Sequence, residues 1–268
     1  MKGTLAEQTK ERVLILNSSD LYKGSLILVN RAHGIRGAAS EPKLVRVSEG
    51  GSTGEPEIYL EAKAARAFQK LLQAVCGGKG IVSVSGYRPG QEQRQIYADS
   101  LRENGAEFTE KFVALPGHSE HESGYAIDVG LEKEDIDFIR PDFPYEGICQ
   151  TFRKTAPLYG FVERYPRGRE TVTGIAHEPW HFRYVGYPHA RVMAERGLTL
   201  EEYHDFLRRE TCEAHPLEFE TPEQDFAIYF VPAGKDGKTN IHLPGELPVQ
   251  VLGNNADGFV VTVWRDGV

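Results

Sequence analysis

Two short islands gather much of the chain's ligating chemistry. HSEHESGYAIDVG spans residues 118–130 and HEPWHF spans 177–182, and together they hold four of the nine histidines, with glutamates and an aspartate. A catalytic zinc takes three protein donors and keeps one position open for water. His121 and Asp128 are seven residues apart, too far for one helical turn, but a loop running into a strand brings both to one centre. Gly124 lets the backbone bend close to that centre, and Ala126 leaves room for whatever packs on the strand. His181 is the expected third ligand. Glu178 precedes it by three residues, and Pro179 between them disfavours a helical Glu178, so this is not the helical HExxH arrangement. A carboxylate beside a metal but not bound to it can take a proton from water the ion has acidified and deliver it to a leaving amine. Arg88, in SGYRP at the end of a strand-like run, suits a carbonyl oxygen that gains charge, or a substrate carboxylate. Gln93, five residues on, and Ser119, two before His121, are expected to assist substrate binding. Taken singly, each residue would default to an ordinary polar position; their conjunction carries the metal reading. His118 and His177 are not needed for three-ligand coordination.

These side chains need strands and turns at the islands and helices behind them. Leu60, Ala64, Phe68, Leu71, Leu72 and Val75 fall at helical spacing, with Gly77 and Gly78 as the stop. IVSVSG (81–86) reads as a strand, PGQEQRQIYADSLRENG as a helix begun by Pro89, and GYAIDVG (124–130) as a strand. ICQTFRKTAPLYG reads as helix and GFVERYP as extended. PWHFRYVG is extended again, His181, Arg183 and Val185 alternating with Phe182 and Tyr184. Thr199 with Glu202 three residues on makes a capping-box start for a helix whose Leu200, Tyr203 and Leu207 share a face. Near the N-terminus, VLILN and SLILVN are apolar runs of strand length. The Gly-rich stretch after them, with loop-like SEGGSTGEPE at 48–57, is expected as a long surface loop. After HPLE come four strand-like runs, FAIYFVPA, TNIHLP, PVQVLG and GFVVTVW, separated by turn-rich GKDGK and NNADG. Helix and strand mix without βαβ alternation, so the expected fold class is α+β. Residues 1–59 are expected as an N-terminal extension packed on the core, 60–212 as the catalytic domain, and 217–268 as a small C-terminal β appendage that serves as a lid or as an interface in a homodimer.

The 31 basic and 39 acidic residues give a formal net charge of −8 without long blocks of either sign, which disfavours a duplex-binding surface. The three cysteines, Cys76, Cys149 and Cys212, are odd in number and widely spaced, which fits a reducing compartment better than a disulfide framework. VLIL is far shorter than a signal-peptide core or a membrane span, and the expected location is the cytoplasm.

The islands resemble the zinc D-alanyl-D-alanine carboxypeptidases of the VanY and VanXY type, whose metal motif runs SxHxxGxAxD and later ExxH. Here the first is Ser119-Glu120-His121-Glu122-Ser123-Gly124-Tyr125-Ala126-Ile127-Asp128, without departure, and the second is Glu178-Pro179-Trp180-His181. SGYRP with Gln93 and GFVERYP are similar to further family segments, so the likeness spans roughly residues 60–190. It implies a small antiparallel sheet flanked by helices and flooring a zinc cleft. It also implies one Zn2+ per chain on His121, Asp128 and His181, with Glu178 as acid/base, Arg88 polarising the scissile carbonyl, and Ser119, Gln93 and Tyr165 on the substrate. The implied substrates are D-Ala-D-Ala dipeptide and the D-Ala end of peptidoglycan precursors, in cell-wall remodelling or glycopeptide resistance. The alternatives are an L,D-carboxypeptidase of the same fold and a zinc-stabilised binding module without turnover.

Overall fold

Strands alternate faces with a period of two, and the runs IVSVSG, GYAIDVG, GFVERYP and PWHFRYVG use that period to build the floor of a cleft. The computed structural model describes residues 11–37, 41–47, 57–77, 79–137 and 139–265. Strand β1 (Glu11–Asn17) is the first described element, and β2 (Leu44–Arg46) pairs antiparallel with β3 (Tyr59–Glu61) just before helix α1 (Ala62–Cys76). Strand β4 (Ile81–Ser85), helix α2 (Gly90–Phe112), strand β5 (Ala126–Leu131) and helix α3 (Gly147–Thr155) follow. Strand β6 (Phe161–Tyr165), the single turn α4 (Glu170–Thr173) and strand β7 (Glu178–Tyr184) complete this part. Its sheet has the order β4-β5-β7-β6, all antiparallel.

The core behind this sheet is aromatic. Phe68 of α1 and Phe152 of α3 meet Phe161 and Phe182 from β6 and β7, and the Phe152 and Phe182 rings stand edge to face at 5.0 Å between centroids. Helix α1 stops where Gly77 takes the left-handed conformation at φ 59°, but its first turn starts later than the apolar spacing predicts. Leu60 belongs to β3, and the Glu61 side chain caps the helix by accepting from Lys63 N. Gly105, with φ 79° and ψ 171°, breaks α2 where the sequence ends it, and a second short helical segment runs on to Phe112.

Helices α5 (His189–Arg196) and α6 (Leu200–Glu210) link to the tail, whose strands are β8 (Leu217–Glu220), β9 (Asp225–Pro232), β10 (Lys238–Pro244), β11 (Val249–Gly253) and β12 (Gly258–Arg265). The Thr199 box forms as expected: Glu202 N donates to Thr199 Oγ1 at 3.3 Å and Thr199 N to Glu202 Oε2 at 2.9 Å. Thr199→Ala is expected to cost about 1 kcal/mol of unfolding free energy, read by chemical denaturation, because one helix-terminal N–H loses its partner.

The sheet β11-β12-β9-β8 buries both faces. Phe226, Ile228 and Phe230 pack on α5 and α6 together with Leu26 and Leu28, while Ala227 and Tyr229 pack on Ile241 and Leu243 of β10 and Leu14 and Leu16 of β1. That is why FAIYFV reads as a continuous apolar run rather than an alternating one. β1 pairs with β10 along its length, so a strand from near the N-terminus completes the tail. The lid expectation finds no support: among the described residues none from 217 onward lines the cleft, and one apolar face of the tail's sheet packs on α5 and α6.

SLILVN also departs from expectation, forming a buried irregular segment instead of a strand. Its carbonyls find side-chain donors in place of a ladder: Arg183 Nη2 donates to Ser25 O and Ile27 O, and Asn255 Nδ2 donates to Leu28 O. Apart from Glu57, the SEGGSTGEPE stretch lies outside the described residues. Among the described residues no helix is long and apolar enough to cross a membrane.

Candidate active site

Strand register assembles the site. Asp128 of β5 and His181 of β7 are direct cross-strand partners, and Tyr165 of β6 stands opposite Glu178 of β7. Residues three apart on a regular strand point to opposite faces, so Glu178 and His181 would be separated by the sheet. The register between β6 and β7 slips between Glu163 and Tyr165, and this bulge turns Glu178 to the side of His181, its Oε2 3.7 Å from His181 Nδ1. His121 arrives from a single 3-10 turn, Glu120–Ser123, closed by Gly124 at φ 73°. A Cβ on Gly124 would also meet Glu61 N at 3.0 Å, so the glycine serves both the turn and the packing of the loop on the strand start before α1.

His121, Asp128 and His181 present donor atoms that all lie within 4.8 Å of one another, and all three residues are buried. His121 Nε2 is 3.2 Å from Asp128 Oδ2, and His181 Nδ1 is 2.9 Å from Asp128 Oδ1. An ion bound tetrahedrally at about 2.0–2.1 Å spaces its donors about 3.4 Å apart, so the three sit at ligand spacing. The tautomers also fit. His121 Nδ1 faces the Gly86 carbonyl at 2.7 Å, which can only accept, so Nδ1 carries the proton and Nε2 is bare. His181 Nε2 faces Glu120 Oε2 at 3.4 Å, leaving Nδ1 for an ion. Asp128 Oδ1, although 2.9 Å from His181 Nδ1, makes no hydrogen bond of acceptable angle and is a buried acceptor without a donor. A cation between those two atoms satisfies both.

The charges point the same way. Burial works to raise Asp128, but His121 and His181 override it and hold the carboxyl well below the usual range. Burial likewise opposes charging His181, yet its contacts with Asp128 and Glu120 push it up to about 9, so without an ion the pocket draws a proton to itself. Burial and Arg88 lower His121 to about 4, keeping it a neutral donor. Burial pushes Glu178 up to about 8, with the charge of Asp128 adding to it against His181; a bound dication would pull it back down.

Arg88 lies against Asp128, Nη2 to Oδ2 at 3.5 Å, and is braced by Ser85 Oγ (3.1 Å from Nε) and Gln93 Oε1 (3.1 Å from Nη1). Gln93 lines the cleft but its amide is used at both ends, since Nε2 donates to Ala114 O at 2.9 Å; it acts as a strut for Arg88. Ser119 and Tyr165 line the same cleft of about 680 Å³, Tyr165 with its ring 4.8 Å from that of His181. His118 hydrogen-bonds to Asn30 O and His177 to the Tyr145 hydroxyl, both away from the three donors.

Sequence reasoning missed the support beneath the metal donors. Glu120 is fully buried, and its Oε1 receives Arg164 Nε and lies 2.8 Å from Arg183 Nη1. The Arg183 contact is an ion pair without hydrogen-bond alignment. Arg164 reaches on to Glu201 of α6 with a bidentate pair at 2.9 and 2.6 Å. Two arginines thus override burial and hold Glu120 ionised, its pKa well below the ordinary carboxylate range. The alternation of Arg183 with Phe182 was a signal available in the sequence; nothing there pairs Glu120 with Arg164 across 44 residues.

The sequence model of the family described as VanY, D-alanyl-D-alanine carboxypeptidase, matches residues 57–187. The bifunctional D-Ala-D-Ala dipeptidase and D-Ala-D-Ala carboxypeptidase VanXYC of Enterococcus gallinarum is 44% identical over 184 residues, covering 68% of this chain and 95% of that protein. Among solved structures, the vancomycin-resistance D,D-dipeptidase VanXYg in complex with a D-Ala-D-Ala phosphinate analogue superposes with TM-score 0.89 at 48% identity, over 96% of this chain and all of that one. A VanY D,D-pentapeptidase from a VanB-type resistance cassette, in complex with Zn(II), gives TM-score 0.56 at 29% identity, over 67% of this chain and 98% of that one. Motif, cleft and relatives agree, and the chain belongs to the VanY D-alanyl-D-alanine carboxypeptidase family.

Proposed function

We propose that this chain is a zinc peptidase that removes the terminal D-Ala from D-Ala-D-Ala and from peptidoglycan precursors ending in it, and that it contributes to glycopeptide resistance. The observation that carries this reading is the convergence of three neutral or anionic donors with one unbound buried carboxylate, Glu178, and one buried-side guanidinium, Arg88, in a single cleft. His121 Nε2, Asp128 and His181 Nδ1 would hold one zinc ion per chain. When bound, the ion supplies Lewis acidity, acidifying water and polarising the carbonyl. Glu178 takes the proton of the attacking water and returns it to the departing amine, so the C–N bond breaks without releasing an unprotonated amine anion. Arg88, held by Ser85 and Gln93, carries the charge that builds on the carbonyl oxygen. Burial raises the Tyr165 phenol, keeping it a protonated donor beside His181, and Ser119 takes the substrate's terminal carboxylate.

The test is amine release from D-Ala-D-Ala and from a pentapeptide ending in D-Ala-D-Ala, with zinc-loaded and chelated protein side by side. Zinc-dependent release from both is the expected result. Release from the pentapeptide alone would make it a carboxypeptidase without dipeptidase activity, and release only from an L-Xaa-D-Ala end would replace the reading with an L,D-carboxypeptidase. The cytoplasm is the proposed location, supported by the free thiols Cys149 and Cys212; recovering the protein outside the membrane on cell fractionation would overturn it.

A further inference from the structure

A second groove of about 510 Å³ opens beside the cleft and shares Phe112, Arg140 and Trp180 with it. Its wall is rigid. Arg153, largely buried, donates to Phe143 O, Pro144 O and Pro179 O, pairs with Glu163 at 2.6 Å, and lies 3.9 Å from the centre of the Tyr145 ring. The Tyr145 hydroxyl sits between Glu163 and His177 Nε2, and the Tyr145 and His177 rings lie within 17° of parallel. The groove is therefore built of fixed aromatic surface rather than loose loop.

Its lining carries two arginines, Arg140 and Arg167, against one carboxylate, Asp142. Arg140 and Arg167 line it, are exposed, and form no ion pair among the described residues. The lining Asp142 is paired with Lys133 at 3.5 Å and Glu163 with Arg153, while the exposed Asp137 and Glu170 accept backbone N–H groups and lie within the fields of Arg140 and Arg167 respectively. Two guanidinium groups beside a stacked aromatic wall favour a planar anion. A dipeptide needs only the region around the metal donors, whereas a longer substrate must leave the cleft, and this groove is continuous with it.

We propose that the groove binds the peptide upstream of the scissile D-Ala-D-Ala and takes a carboxylate there on Arg140 and Arg167. This rests on the cleft being that of a D,D-peptidase. The probes are acetyl-X-Gly-D-Ala-D-Ala peptides with X glutamate or glutamine, alike except for the charge. In the zinc-loaded enzyme the glutamate peptide is expected to show kcat/KM about fivefold higher, the upper scale of one partly exposed ion pair. That ratio should fall toward one in the Arg140→Gln/Arg167→Gln double variant and as ionic strength rises. A second readout is calorimetric binding of the two peptides to the Glu178→Ala protein, where Kd should carry the same ratio. A wild-type ratio near one in turnover and binding, or a ratio that survives the double variant, would overturn the groove. If no peptide is cleaved, the D,D-peptidase reading fails, and the calorimetric ratio still decides whether the groove selects an anion.

Discussion

Glu178→Ala is expected to keep its metal and to lose about 10²- to 10⁴-fold in kcat, the range that positioned proton transfer contributes. Its metal should stay because Glu178 lies outside the three converging donors, with its Oε2 3.7 Å from His181 Nδ1. KM should move little, since a group that acts only while a proton is in flight adds little to ground-state binding. Glu178→Gln separates charge from shape: it fills the same volume but cannot accept the water's proton, and it should be nearly as slow. The pH profile gives an independent reading. Glu178 must be ionised to act as base, so kcat/KM should fall as pH drops through its pKa. That limb should lie below about 8, where burial and the surrounding charges place the group without an ion, because a bound dication favours the carboxylate. Metal content by atomic absorption together with steady-state rates checks this prediction. A metal-replete Glu178→Ala protein with near wild-type turnover would sink the assignment.

The donors themselves were legible because each sits in a short segment whose local rules are strong. Gly124 announced the turn after His121, Pro179 excluded a helix at Glu178, and the period of two in PWHFRYVG put His181 on a strand. What the sequence could not show was which side Glu178 would face, because the bulge that turns it depends on how β6 and β7 slip against each other. SLILVN failed for a related reason. Its apolar content suits a strand, but among the described residues it joins no sheet, and Arg183 and Asn255 supply the donors instead. Strands β9 to β12 of the tail were readable from apolar runs and the turns between them, whereas β8 and the tail's place were not. The doubly apolar FAIYFV shows that both faces are covered without saying by what, and the cover is α5 and α6 on one side and β1 with β10 on the other. Gln93 illustrates the same limit at a single residue. Proximity to Arg88 in sequence marked it as part of the site, and only the Ala114 carbonyl shows that its amide is already spent.

The largest effect away from the reacting atoms is expected at Glu120. A buried ion pair stabilises less than its geometry suggests, but removing one partner strands the other in a medium that cannot solvate it, at about 3–5 kcal/mol. Glu120→Gln leaves Arg183 facing only backbone carbonyls and the Tyr125 ring, while Arg164 still holds Glu201. The same substitution takes the carboxylate away from His181 Nε2, which then loses the partner that fixes its tautomer and orientation, a change worth about 10- to 100-fold in metal affinity. Glu201→Gln distinguishes the two effects. It breaks the far end of the Arg164 bridge without touching His181, so it should destabilise the fold while leaving metal affinity close to wild type. Denaturant midpoints with and without metal, paired with competition titration against a chelator of known affinity, separate the outcomes. If Glu120→Gln binds metal as tightly as the wild type, Glu120 is only a structural counter-ion for the two arginines. If both variants weaken metal binding equally, the site depends on the docking of α6 as a whole and not on the contact with His181.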